Sequence, residues 1–199
     1  MTAKITALRV PQPESFTFLP ESIQQAQAII ARYPQGMQQS ALMPLLSLAQ
    51  AQCGNWLPKA AMDYVAAMLN MPPVRVYEVA SFYTMYNLEP VGKHVIEVCT
   101  TTPCWLSGSE AIVQACEKRL GITLGETTAD GEFTLREVEC LGACVNAPMA
   151  QVISSPRGTQ YFYEDLTPER ITGVIDAFTE GRQPKPGPQS GRKSSEPAT

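Results

Sequence analysis

The sequence lacks any long hydrophobic run and any recognisable targeting segment. No stretch approaches the roughly 18 consecutive apolar residues that a membrane-spanning helix requires, so we expect no direct membrane insertion. The N-terminal stretch 1–16 has no uninterrupted apolar core, which argues against a secretory signal, and it is too poor in arginine for an organelle transit peptide. These absences predict a protein that works in a reducing cytoplasm.

A strong positive charge is also missing. The formal net charge is −4 and the sequence pI is about 5.1, and the basic residues are scattered along the chain. A nucleic-acid partner would need a basic surface, and binding to an anionic membrane would need a polybasic cluster. We therefore expect no nucleic-acid partner and no electrostatic membrane anchor.

Catalytic and nucleotide-binding signatures are equally scarce. The single histidine, His94, lies inside a predicted strand and has no second histidine to form a catalytic pair or a Rieske centre, so we expect it to be a packing residue. Neither G-x-G-x-x-G after a strand nor G-x-x-x-x-G-K-[ST] occurs, so a nucleotide site in this chain is not indicated. The cysteines are the residues best suited to carry chemistry.

The 199-residue chain contains six cysteines. Disulfides are rare in a reducing compartment, so these residues are better explained as metal ligands, reactive thiols or small buried side chains. Cys53 ends an apolar helical stripe, and Cys116 shares a face of a predicted helix with Ile112 and Leu120, so we assign both to packing. The other four form two spaced pairs.

Hydrophobic spacing predicts that the N-terminal half is helical. Four short helices are predicted between Pro20 and Tyr83, with prolines at or near their first turns. Ser40 is the predicted cap of the second helix, and Tyr83 is predicted to point inward from the fourth. The brief connections between these helices predict a small bundle. Residues 1–18 show no clear period and predict a loose arm, so we assign 1–90 to an arm followed by a helical bundle.

The hydrophobic period changes after residue 90. The order strand–helix–strand and then strand–strand–helix is typical of a thioredoxin-like α/β domain, which we place at 91–180. Pro148 precedes the third strand, where such folds often have a cis proline. Residues 181–199 are too polar and too rich in Pro, Gly and Ser to form a core, and we assign them to a tail. The predicted strands are 93–98, 133–138, 149–153 and 159–163, and the predicted helices are 107–120 and 167–178, the second capped by Thr167.

The two cysteine pairs each follow a predicted strand. Cys99 and Cys104 occur in VCTTTPCW, and Cys140 and Cys144 occur in VECLGACVNAP. Four thiolates on two loops suit a [2Fe–2S] centre, with two sulfurs for each iron. A structural zinc ion also takes four thiolates at such spacings, so the residues alone leave zinc open. A dithiol redox enzyme is less favoured, because neither pair has the C-x-x-C spacing.

Three stretches of the chain carry a family resemblance. VIEVCTTTPCWLSGS, FTLREVECLGACVNAPM and YFYEDLTPE resemble the thioredoxin-like [2Fe–2S] subunit of NADH:quinone oxidoreductase, respiratory complex I. The likeness extends upstream through RVYEVASFYTMYNLEPVGK and downstream into PKPGPQSGR, so that it covers about residues 20–195. The resemblance implies that Cys99, Cys104, Cys140 and Cys144 ligate one [2Fe–2S] cluster, which transfers single electrons.

The same resemblance implies partners. In that family the subunit packs against a flavoprotein that binds NADH and FMN, beside the large iron–sulfur subunit of the peripheral arm. We therefore expect FMN and NADH on the partner, no complete active site in this chain, and a peripheral position on the cytoplasmic side of the inner membrane. The Pro-rich tail resembles a longer version of the family, in which the tail lies along a partner subunit. The equivalent ferredoxin subunit of an NAD-linked hydrogenase or formate dehydrogenase shares the cysteine loops and stays open as an alternative.

Overall fold

The computed structural model describes residues 11–155 and 158–193, and these form two compact units. One unit contains the residues up to Pro90 together with Ser155 and Gly158, and the other contains Val91–Ser154 and the residues from Thr159 onwards. The first unit is helical, and the second is built on a β-sheet. Within the described residues, none of the helices has the length and apolar character needed to cross a membrane.

The helical unit confirms the four predicted helices. Pro20 and Pro73 each open a helix, a position where the missing N–H of proline removes no intrahelical hydrogen bond. The prediction of Ser40 as a helix cap is wrong, because this residue lies within a 3₁₀ turn and the helix begins only after Ala41. The elements are α1 (Pro20–Ile30), the 3₁₀ turn (Gln38–Ala41), α2 (Leu42–Gln52), α3 (Lys59–Met68) and α4 (Pro73–Phe82).

The core of the helical unit consists of the predicted apolar faces. Leu45, Leu46, Val65 and Val76 are completely buried, as the helical spacing of hydrophobic residues requires. Tyr83 was predicted to point inward and is instead 40% exposed. It follows the last turn of α4 in an extended conformation, so its side chain has left the buried helical face.

The described part of the N-terminal arm is anchored to the bundle. Phe16 and Phe18 pack edge-to-face with Tyr64 of α3, with ring centroids 5.5 Å and 5.4 Å away, and Phe18 is buried. The Gln52 side chain accepts a hydrogen bond from the Leu19 amide at 3.0 Å and donates one to the Thr17 carbonyl at 2.8 Å. The prediction of a loose arm is therefore wrong for these residues, and its first ten residues lie outside the described part.

The sheet unit confirms the predicted order of strands and helices. The two main helices pack on one face of the sheet, where Ile96, Leu135 and Val152 form a core with Ile171 and Ile175. Thr167 caps its helix, since its hydroxyl accepts from the Arg170 amide at 3.3 Å, as predicted. The elements are β1 (His94–Cys99), α5 (Thr102–Leu106), α6 (Ser109–Leu120), β2 (Phe133–Val138), a 3₁₀ turn (Cys144–Asn146), β3 (Ala150–Ser154), β4 (Thr159–Glu164), α7 (Pro168–Thr179) and β5 (Gly187–Pro188).

The sheet has the order β2-β1-β3-β4-β5 and a fixed register around its central strands. β1 runs parallel to β2 with Cys99 opposite Val138, and antiparallel to β3 with Val98 opposite Ala150. Because β1 and β2 are parallel, their carboxyl ends lie at the same edge of the sheet. The chain segments that carry the two cysteine pairs therefore both begin at that edge.

A short helix and a short strand were not predicted. The segment after β1 forms the short helix α5, and Gly108, with φ +94°, separates it from α6, where a side chain would be strained. The residues after α7 were assigned to a tail without a core, but Gly187 and Pro188 pair with the end of β4. The Tyr163 hydroxyl also donates to the Pro184 carbonyl at 3.2 Å, so the tail adds an edge to the sheet.

Candidate metal centre

The first cysteine pair lies between the end of a strand and a helix. Cys99 is the last residue of β1, and Cys104 is the third residue of α5, so the second member of the pair lies on a helix and not in the predicted loop. Both residues are only 1% exposed, and both pack against Met149, just before β3. The α5 turn forms here because Thr101 enters it in an extended conformation and Pro103 suits its first turn.

The two thiols of this pair have opposite pKa shifts. Burial raises the pKa of Cys99, but the Thr101 hydroxyl at 3.3 Å and the amides of Thr101 and Leu141 outweigh it, so the pKa is lowered. Burial and the neighbouring Cys99 thiol raise the pKa of Cys104 to about 12. Amide and hydroxyl donors around Cys99 therefore favour a thiolate at that sulfur.

The second pair lies on a loop that leaves the same edge of the sheet. Cys140 follows β2 and is exposed, whereas Cys144 begins the 3₁₀ turn and is half-buried. Their Sγ atoms are 3.1 Å apart, and the Gly142 amide donates to Cys140 Sγ at 3.4 Å. Gly142 has φ +88°, which only glycine adopts without strain, so this residue allows the loop to fold back towards the sulfur.

The thiol pKa values of the second pair also diverge. The Cys144 thiol and the Gly142 amide lower the pKa of Cys140, while Cys140 raises the pKa of Cys144. Thr101 relates the two pairs, because its hydroxyl lies 3.3 Å from Cys99 Sγ and its side chain also lowers the pKa of Cys140. The Leu141 amide of the second loop likewise reaches Cys99 of the first. The structure thus brings the four predicted cysteines to one place.

The arrangement of sulfurs is pairwise. Across residues 11–155 and 158–193, no three His, Cys, Asp or Glu side chains are grouped so that they would hold one metal ion. The close contact of Cys140 with Cys144 and the interaction of Cys99 with Cys104 instead divide the four thiols into two neighbouring sets. Two thiols for each metal atom, with amide and hydroxyl donors beside them, fit the ligand requirement of a [2Fe–2S] group.

The chain after Cys144 is held from both sides. Asn146 is buried and its side-chain amide donates to the Glu164 carboxylate, while its backbone carbonyl accepts from the Asp165 amide at 2.8 Å. The Ala147–Pro148 bond is cis, as predicted, and the Pro148 carbonyl accepts from the Leu166 amide at 3.0 Å. The start of the segment after β4 therefore supports the second cysteine loop.

A charged network lies on the sheet beside the site. Glu97 of β1 accepts from Arg136 Nε of β2 at 2.8 Å and from Gln151 Nε2 of β3 at 2.7 Å. The glutamate side chain is 7% exposed, so its charge is largely removed from water and compensated by the guanidinium. This ion pair was not predicted, because nothing in the sequence indicates that these three strands are adjacent in this register.

The cysteines and the histidine outside the site have packing roles, as predicted. Cys116 is completely buried in the core between sheet and helices, and burial raises its pKa to about 12. Cys53 is half-buried against the helical core, and burial raises its pKa to about 11. His94 Nδ1 lies 2.8 Å from Ser154 Oγ, and its ring packs against Phe178.

Comparisons with known proteins identify the family. A family model described as thioredoxin-like [2Fe–2S] ferredoxin matches residues 26–179. The chain belongs to this family. The predicted resemblance, the predicted fold class and the predicted cofactor, one [2Fe–2S] cluster, are thereby confirmed.

Relatives and a solved structure extend this result. The chain is 54% identical over 165 residues to a subunit of the NADH-quinone oxidoreductase of Rickettsia felis, covering 83% of this chain and 95% of the relative. It is 48% identical over 181 residues to the mitochondrial NADH dehydrogenase (ubiquinone) flavoprotein 2 of Dictyostelium discoideum, covering 91% of this chain and 71% of that protein. An NAD+-reducing [NiFe]-hydrogenase in the air-oxidized state aligns over 68% of this chain with a TM-score of 0.56 and 22% identity, so it shares the fold. This chain spans 23% of the length of that hydrogenase chain.

Proposed function

We propose that this [2Fe–2S] ferredoxin is the electron-transfer subunit of an NADH:quinone oxidoreductase and that Cys99, Cys104, Cys140 and Cys144 hold its cluster. The observation that carries the ligand assignment is the meeting of the two thiol pairs at one sheet edge, with Thr101 interacting with both. The relatives that carry the name of this enzyme align with nearly their whole length in the bacterial case, and they support the assignment to that complex.

The residues around the thiols suit the stabilisation of an anionic group. The Gly142 amide at Cys140 and the Thr101 hydroxyl at Cys99 donate towards sulfur, and such donors tune a reduction potential. A cluster held by these four cysteines would supply one-electron transfer. Cys99 and Cys104 keep one side of the site out of water, since both are buried. Membership of a [2Fe–2S] family and the pairwise thiols favour this function over a structural zinc module.

The surface next to the cysteines supports a partner protein. Trp105 and Leu106 follow Cys104 and are 61% and 73% exposed, and Val145 follows Cys144 and is 74% exposed. Large apolar side chains beside a redox centre are typical of a surface that a partner covers, because covering them removes apolar area from water. We infer that an NADH- and FMN-binding flavoprotein docks here, and that the large iron–sulfur subunit is a further neighbour in the peripheral arm.

The place of the protein in the cell follows from the same proposal. As a subunit of a membrane complex, the chain would lie on the cytoplasmic side of the inner membrane, held there by its partners. The domain division 1–90, 91–180 and 181–199 belongs to this proposal, with the middle part holding the cluster. The alternative of a ferredoxin subunit in an NAD-linked hydrogenase is supported by a shared fold alone.

The assignment of a [2Fe–2S] cluster is tested on the full chain purified without oxygen. We expect two irons and two acid-labile sulfides per chain, a red-brown colour, and an EPR signal that appears on reduction by one electron. Stoichiometric zinc in a colourless protein would contradict the proposal.

The partner assignment is tested with NADH as the reductant. The cluster should be reduced by NADH only when the flavoprotein subunit of the same organism is added, because this chain has no nucleotide signature of its own. Leu106→Asp should weaken co-purification with that flavoprotein and leave iron content unchanged. Reduction by NADH without any partner would contradict the assignment.

A further inference from the structure

Asp165, directly after β4, makes contacts with several segments behind the second cysteine loop, and we call this residue the hub. Asp165 follows the strand with φ +53°, a left-handed conformation that non-glycine residues rarely adopt and that aspartate tolerates better than most. Its amide donates to the Asn146 carbonyl at 2.8 Å, two residues beyond Cys144. Its own carbonyl accepts from Arg170 Nη1 at 2.6 Å, so the backbone of Asp165 is fixed on both sides.

The C-terminal segment returns to this hub. Gly187 and Pro188 pair with Tyr163 and Glu164 at the end of β4, and the Gln189 amide donates to the Glu164 carbonyl at 2.9 Å. These hydrogen bonds set the direction of the chain beyond them. The residues that follow are thereby brought alongside Asp165.

Two side chains of this segment bind the Asp165 carboxylate. Ser190 Oγ donates to Oδ2 at 2.6 Å, and Arg192 donates from Nε to Oδ2 at 2.6 Å and from Nη2 to Oδ1. The same Nη2 donates to the Val145 carbonyl at 3.4 Å. Arg192 therefore contacts both the hub and the residue that follows Cys144.

This ion pair differs from an ordinary surface pair. Its contact is two-pronged, and the Asp165 side chain is only 12% exposed, so the carboxylate is largely shielded from water. The pair Arg182–Glu180, close by in the chain, has both side chains more than half exposed and contacts no cysteine loop. The chain thus provides a matched pair of arginines in different settings.

We propose that Arg192 is a positioning residue for the metal centre, which fixes the loop of Cys140 and Cys144 through the Asp165 carboxylate and the Val145 carbonyl. The proposal rests on the assignment of these cysteines as cluster ligands. It gives the tail up to Arg192 a role within its own chain: it clamps the exposed half of the site and adds a positive charge next to it. In a variant that lacks the arginine, the loop of Cys140 and Cys144 should become looser while the fold of the sheet is preserved.

The test compares the cluster-loaded full chain with Arg192→Gln, Arg192→Lys and the control Arg182→Gln. Iron release to an excess of chelator is followed by the loss of visible absorbance, and the midpoint potential is measured by EPR-monitored titration. Arg192→Gln should release iron about tenfold faster than the wild type, because one charge-assisted, two-pronged contact is lost. Its potential should be lower, since removal of a positive charge disfavours addition of an electron.

The other two variants separate positioning from general stability. Arg192→Lys keeps the charge and loses the fork, so it should keep the wild-type potential and release iron at an intermediate rate. Arg182→Gln should match the wild type in both measurements. A wild-type rate of iron release in Arg192→Gln, or an equal acceleration of iron release in Arg182→Gln, would overturn the proposed role of Arg192 and leave the cluster assignment untouched. A wild-type chain without two irons would instead contradict the cluster assignment on which it rests.

Discussion

The two cysteine pairs lie at the same edge of the sheet but are held by different means. Cys99 and Cys104 lie in regular elements and are buried, and the Cys99 amide is part of the sheet ladder through the Met149 carbonyl at 3.2 Å. Cys140 and Cys144 lie on a loop at the surface, held by a glycine turn and by contacts from distant parts of the chain. The first pair is therefore held by buried, regular structure, whereas the second pair is held by local turns and by the C-terminal tail.

This difference suggests a division of work between the pairs. As cluster ligands, the buried pair would keep one side of the cluster away from water and fix its position in the fold. An exposed pair leaves the other side accessible to a partner, next to the apolar side chains of Leu106 and Val145. The predictions that follow test how far this contrast extends, beginning with the largest effect.

Removal of a single thiol should reduce bound iron equally in both pairs. Cys104→Ala and Cys140→Ala should each reduce bound iron to less than about a tenth of the wild type, because either change leaves one iron short of a ligand. Iron and sulfide analysis of the purified variants measures this. Cys116→Ala is the control and should retain the full content, because its thiol packs in the core. Full iron in Cys140→Ala would show that the exposed pair is not a ligand pair.

Shortening an apolar side chain should lower the free energy of unfolding much more in the core than beside the second pair. Leu135→Ala, in the buried core of the sheet unit, should lower the free energy of unfolding of the iron-free protein by about 3 kcal/mol. Val145→Ala, beside the second pair, should change it by less than about 0.5 kcal/mol, because the side chain is already exposed. Urea unfolding measures both values. Similar losses in the two variants would show that the second loop is part of the core.

Hydrogen exchange should distinguish the segments of the two cysteine pairs in the iron-free protein. The Cys99 amide lies in the sheet, whereas the Gly142 amide donates only to Cys140 Sγ at 3.4 Å. We expect Cys99 to exchange at least about a hundredfold more slowly than Gly142, because its opening requires disruption of the sheet. Mass spectrometry or NMR can follow both segments. Equal rates would mean that the first pair is not held by the fold when iron is absent.

The far end of β1 offers the smallest effect. Burial and the nearby Lys93 lower the pKa of His94, so below about pH 6.5 the unfolded chain binds a proton that the folded chain does not. The stability that the neutral ring provides is present above that pH and is lost as the pH falls towards the lowered pKa. His94→Gln should therefore lose less stability than the wild type between pH 7 and pH 5, as measured by urea unfolding. An identical loss in both proteins would show that the histidine does not titrate differently on folding.

The sequence predicted the parts of this structure that depend on local pattern. The period of hydrophobic residues found the four helices of the first unit, and it placed α6, α7 and the four main strands to within about two residues of their ends. The Thr167 cap and the cis bond before Pro148 were found as well, because each follows from residue type and position in the chain. The cysteine spacing grouped the four ligand candidates, which the structure brings to one edge of the sheet, and it left out Cys116, which the structure buries in the core.

The parts that were missed depend on contacts distant in the sequence. The α5 helix replaced a predicted loop, although Pro103 near its start is a signal that could have been read. Arg136 and Glu97 form a pair only because their strands are adjacent, and Arg192 meets Asp165 only because β5 pairs with β4. None of these partners can be inferred from periodicity, which reports on which face is buried and not on what lies opposite.

The parallel register of β1 and β2 has a consequence for changes in chain length. Side chains alternate between the two faces of a strand, so one residue inserted between Phe133 and Leu135 would turn every later side chain of β2 to the opposite face. Leu135 would leave the core, and Cys140 would start from a displaced position while Cys99 stayed in place. An insertion in the connection between α6 and β2 would not alter this alternation. Length variation should accordingly be tolerated better in the turn between Thr128 and Phe133 than within β2.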